Sequence, residues 1–232
     1  MKKLILYELE KVNLKKYILG SFIIIAIICL FMVVAMDSVT HGSSPAKMTY
    51  SSIIKSINAF MMEAFIIWDA VLVSKFIVEE YVYKTILISF TYPVRKNKLI
   101  FAKMILITTF GIICTVIGDI IGITFVSVLD LFSDVLEGQF LIEYIFFSIK
   151  NLLLGIFTVI IFGMIPYILG IYKRTIAITI VGGFITAFIV QIFVSQCTSL
   201  LQMFVCFLLI GIALLVITQK VSLKYIKNIE DL

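Results

Sequence analysis

Glu79 and Glu80 are adjacent acids of the kind that can activate water, but such hydrolysis also needs histidines as metal ligands or bases nearby. The chain of 232 residues has one histidine, His41, in a polar stretch well upstream of both. A serine nucleophile fails on the same inventory. Cys29, Cys114, Cys197 and Cys206 are scattered singly, so neither a metal site nor a disulfide framework is indicated. No GxxxxGK[ST] phosphate-cradling loop occurs, so the chain has no means of hydrolysing ATP alone. What remains is a set of ionisable residues set in apolar runs: Glu63, Asp69, Asp119 and Lys150. Each costs about 2.5 to 3.5 kcal/mol at mid-bilayer. Their chemistry is therefore one of partnering, with each other, with water or with a substrate.

Positioning such groups takes membrane helices. Hydrophobic residues make up 62% of the chain and charged residues 14%, and the mean hydropathy is +1.18. A soluble domain carries about 25% charged residues. Nucleic-acid binding is excluded for want of a soluble domain with a basic face. A membrane-crossing helix needs about 20 apolar residues. Six segments qualify, at 18–36, 57–78, 100–128, 144–170, 176–195 and 199–219. The expected fold is an all-α integral membrane protein with one transmembrane domain over residues 1–232. The opening MKKLILYELEKVNLKK carries acids and precedes no small-residue cleavage site, so the first span is expected to be retained. Within residues 1–17, Ile5, Leu9 and Val12 share one helical stripe, the pattern of a helix lying along the interface.

Charge bias sets the expected orientation. Fifteen of the 19 lysines and arginines fall on the side of both termini. The opposite loops hold only Lys47 and Lys55, together with Asp130, Asp134, Glu137 and Glu143. Positive charge stays inside, which gives an N-in, C-in topology.

The stretch EEYVYKTILISFTYPVRKNKLIFAK, residues 79–103, then lies in the cytoplasm between the second and third spans. It is far longer than a connection requires. Pro93 ends a short helix, since the residue before a proline is pushed out of the helical region. Two readings stay open from these residues alone. The helix docks into a groove on another protein, or Arg95, Lys96 and Lys98 anchor the loop on lipid phosphates.

The order Glu79-Glu80, Lys84-Thr85, Tyr92-Pro93-Val94-Arg95 and Ala102-Lys103 resembles the first cytoplasmic loop of ABC-2-type exporter permeases. Lys84 stands where that family usually has glycine, and its usual serine before Arg95 is missing. The small size and short outer loops look like the permeases of bacitracin-resistance, lantibiotic-immunity and peptide-toxin exporters. The resemblance implies that residues 79–99 form a coupling helix seated on a separate cytoplasmic ATPase subunit. Glu79, Glu80, Lys84, Thr85, Pro93, Arg95 and Lys103 would serve that coupling. It implies no cofactor in this chain, with ATP and Mg²⁺ on the partner, and a second permease chain, identical or related. The implied setting is the lipid of a bacterial cytoplasmic membrane, and the implied cargo is an amphipathic, antimicrobial or toxin peptide. The alternatives are an ion-coupled secondary transporter using Asp69, Asp119 and Lys150, and a peptide-immunity protein that does not pump. No internal repeat of the kind common in secondary transporters relates two halves of the chain.

Counted inward from the outer ends of their spans, Glu63, Asp119 and Lys150 share a layer about 10 to 14 Å deep. Lys150 is expected to pair with Glu63 or Asp119, as a structural ion pair or as part of an outward vestibule. Asp69 lies deeper, about 120° around the helix from Glu63, and is the candidate for facing a central path. Gly111, Gly118 and Gly122 predict close helix approach. Pro166 is expected to kink the fourth span near its cytoplasmic end.

Overall fold

Apolar runs of this length can satisfy their backbone polar groups away from water only as helices, and the described residues are helical apart from short connections and one pair of two-residue strands. The structure, a computed structural model, describes residues 14–40, 48–83, 96–133, 136–137, 142–196 and 200–230. Helix α1 (Leu14–Thr40) is followed by strand β1 (Met48–Thr49) and α2 (Tyr50–Val73). The α2 helix runs on through a π-helical turn, Ser74–Val78, into the short α3 (Glu79–Val82). Next come α4 (Lys96–Ser133), β2 (Leu136–Glu137), α5 (Ile142–Phe162), α6 (Met164–Lys173), α7 (Ile176–Gln196) and α8 (Leu200–Glu230). The strands pair in parallel, Met48 opposite Leu136, and tie the start of α2 to the end of α4.

Among the described residues four helical stretches are long and apolar enough to cross a membrane: Lys15–Met36, Ile100–Leu131, Tyr144–Lys173 and Ile176–Val194. Val205–Val221 is a shorter apolar helix. The expected second span is α2, which is not among these four and carries Lys55, Glu63 and Asp69. Its place in the bundle explains how it bears them. It packs most extensively against α7, α4 and α5 and also meets α1 and α6. Of its 24 residues, 13 are buried. A helix enclosed by protein does not have to be lipid-soluble on every face.

Glycines let the neighbours close on α2. A side chain at Gly118 would come within 2.9 Å of Met61 Sδ, one at Gly122 within 2.8 Å of Ile57, and one at Gly155 within 2.8 Å of Asn58 Nδ2. The close approach expected of the α4 glycines is therefore to α2. The fourth span is broken into α5 and α6 at Gly163, three residues before Pro166. Pro166 falls in the first turn of α6, where a missing N–H is tolerated. The α6 helix ends on Arg174, whose φ of 52° is left-handed and whose N–H bonds to Gly170 O at 3.0 Å. The expected interfacial helix lies almost wholly outside the described residues, as does most of the expected coupling helix.

Candidate functional site

Asn58, Asp69 and Glu80 recur at intervals of eleven residues, about three helical turns. All three meet α4, and they form the rungs of a polar seam through the bundle. At the first rung, Asn58 Nδ2 donates to Asp119 Oδ2 at 2.9 Å. At the third, the Lys103 ammonium pairs with Glu80 and also donates to the Phe76 carbonyl at 3.1 Å. Lys103 is only 5% exposed, and these oxygens are among the groups that meet its charge. Phe76 lies within the π-helical turn. Wide turns of this kind are frequent at functional positions.

The middle rung differs. Asp69 is 1% exposed. Neither carboxyl oxygen has a hydrogen-bond partner among the described residues. Opposite it on α4 stands Gly111, where a Cβ would lie 2.5 Å from Oδ1 and 2.6 Å from Oδ2. A Cβ at Gly163, on the break between α5 and α6, would lie 3.3 Å from Oδ2. The carboxyl occupies space that two glycines leave open.

The partners also fix the register. Asn58 with Asp119, Met61 with Gly118, Asp69 with Gly111 and Glu80 with Lys103 have numbers totalling about 180. That is the mark of two antiparallel helices joined about residue 90. Lys103 and Glu80 thus clasp the base of the segment expected to couple to an ATPase. Glu79 lies one residue away, in an (i, i+4) ion pair with Lys75 at 2.8 Å. The other expected coupling residues, Lys84, Thr85, Pro93 and Arg95, lie outside the described residues.

The expected layer of Glu63, Asp119 and Lys150 does not assemble as an ion-pair cluster. Asp119 takes Asn58, a residue the sequence reading passed over although it repeats with Asp69 and Glu80 on one stripe. Lys150 is exposed and Glu63 half-buried, and among the described residues neither has an ion-pair partner. Glu63 Oε1 is buried without a hydrogen bond to any described residue. On α5, Lys150 is five residues from Gly155, which packs against Asn58. That spacing turns it about 140° away from the seam. At the far end of α2, Tyr50 donates to Asp130 of α4 and stacks at 5.3 Å on Tyr144 of α5. Between α1 and α4 an apolar groove of about 590 Å³ is lined by Phe22, Ile25, Phe110 and Ile113, with Ser21 and Thr109 as its polar members.

No solved structure matches the chain. An uncharacterized protein of Bacillus subtilis (strain 168), YcbO, is 26% identical over 189 residues, covering 81% of this chain and 82% of its own length. The family model for ABC-2 family transporter proteins matches residues 4–190. That match spans most of the molecule and agrees with the helical bundle and its apolar spans. The chain belongs to the ABC-2 family of transporter proteins, as a multi-pass membrane permease that works with an ATPase.

Proposed function

We infer that the chain is the permease of an ATP-driven exporter that moves amphipathic peptides out of a bacterial cell. Two permease chains would surround the path, and a separate cytoplasmic ATPase would seat on residues 79–103. The observation that carries this reading is the buried clasp between Lys103 and Glu80. It fastens both ends of that segment to the seam between α2 and α4, so that force on the segment is passed to the bundle. The peptide cargo rests on the small size and short outer loops of the chain, which look like those of peptide-exporter permeases. The apolar groove between α1 and α4 is large enough to receive the hydrophobic side chains of such a cargo.

The test is a charge exchange in the permease–ATPase complex. Lys103→Glu and Glu80→Lys singly should abolish substrate-stimulated ATP hydrolysis and vanadate-sensitive peptide export. The double exchange should restore a large part of both. Full export by either single variant would end the reading. Export that proceeds with no bound ATPase, driven by a proton gradient, would favour an ion-coupled carrier built on Asp69 and Asp119.

A further inference from the structure

The middle rung contains more than an unpartnered acid. Beside Asp69 lies a small chamber of about 10 Å³, walled by Val73 of α2, Met104, Ile107 and Thr108 of α4, and Gly163 and Tyr167 at the α5–α6 break. The Tyr167 hydroxyl is buried and, like both Asp69 oxygens, has no hydrogen-bond partner among the described residues. Thr108 is different. Its hydroxyl approaches Met104 O at 3.0 Å and Ile105 O at 3.1 Å, so its proton is already given to the backbone and its oxygen remains free to accept. A chamber open to about 10 to 15 Å³ of water-sized space is the smallest that holds a water molecule, and a buried water needs two to four polar partners. Room and partners coincide here.

We propose that this chamber holds one structural water that completes the middle rung of the α2–α4 seam. Tyr167 donates its hydroxyl hydrogen to the water oxygen. The water donates one hydrogen to the Asp69 carboxyl and the other to the Thr108 oxygen. The site thus joins α2, α4 and α6 through a molecule bonded covalently to none of them, at the point where the fourth span is broken. A water allows α6 to shift against α2 without stripping Asp69 of its partner, since it reorients as the walls move. An alkali cation fits less well. Such ions take about six oxygen ligands, and the remaining walls are Val73, Met104 and Ile107.

X-ray radiolytic footprinting of the full chain in lipid nanodiscs tests this, because a buried water generates hydroxyl radical where it sits. Met104 borders the chamber, whereas Met36 and Met62 are also buried but lie outside its walls. Met104 should oxidise several-fold faster than either, with ¹⁸O incorporated from labelled water. Equal rates would overturn the proposal. Tyr167→Phe removes one partner at little change in shape and should bring the Met104 rate down toward that of Met62. An unchanged rate in a folded Tyr167→Phe variant would overturn the proposed Tyr167 contact, and if that variant fails to fold the wild-type comparison decides. Repeating the wild-type measurement with sodium replaced by N-methylglucamine should change nothing. A rate that follows sodium would assign the chamber to a cation and sink the water.

Discussion

Lys103 and Asp69 are both buried ionisable residues at the seam between α2 and α4, and they are handled in opposite ways. Lys103 is surrounded by acceptors: Glu80 from the end of α2 and the Phe76 carbonyl from the π-helical turn. Asp69 faces glycines. Closing a charged rung in this way adds little stability relative to apolar packing, but it makes any other register costly, because a slipped register strands two charges. The closed rungs at Glu80 and Asn58 therefore fix how α2 and α4 lie. Asp69 then falls opposite Gly111 by geometry, with no side chain to meet it. The difference teaches that one seam can contain both a fastener and an open position, the first defining the second.

Several substitutions would break or sharpen this contrast. The largest loss is expected for Lys103→Met, which takes the buried ammonium away from the part-buried Glu80. Removing one partner of a buried pair costs about 3 to 5 kcal/mol, to be read by steric-trap unfolding in bicelles. Asn58→Ala should cost about 1 to 3 kcal/mol by leaving Asp119 without its donor. Gly111→Ala drives a methyl into the Asp69 carboxyl and should also cost about 1 to 3 kcal/mol. Combining it with Asp69→Ala should recover about 0.5 to 3 kcal/mol as coupling between the two sites. Additive losses would mean that the carboxyl and Gly111 do not meet. Asp69→Asn should shift stability by less than about 1 kcal/mol, since no ion pair is lost and the amide oxygen can still accept the hydrogen of the proposed water. Lys150→Met should leave complex assembly unchanged, in contrast to Lys103→Met. A loss of assembly at Lys150 would show that it has a partner the seam does not explain.

Much of this arrangement was legible from the residues. The spacing of Gly111, Gly118 and Gly122 marks a face that belongs against another helix, whereas the eleven-residue recurrence of Asn58, Asp69 and Glu80 stood in the sequence without being recognised. The membrane class and helical bundle follow from composition and run length. The partner of Asp119 was not legible, because counting residues inward gives depth and not direction around the helix. Lys150 has a suitable depth and the wrong azimuth. The π-helical turn at Ser74–Val78 has no proline or glycine to announce it. Its signal is tertiary, in the buried ammonium that its Phe76 carbonyl receives. Pro166 did mark the weak point of the fourth span. The chain breaks earlier, at Gly163, because proline suits the first turn of the helix that follows.

The antiparallel register of α2 and α4 bears on which length changes the chain can absorb. Residues added or removed between 84 and 95 leave both helices in phase, so Asn58 still finds Asp119 and Glu80 still finds Lys103. One residue deleted between 103 and 119 would turn the remainder of α4 by about 100° and part every rung beyond the deletion. A change of length between the two helices is thus absorbed outside the seam, whereas the same change inside α4 is felt by every contact that follows it.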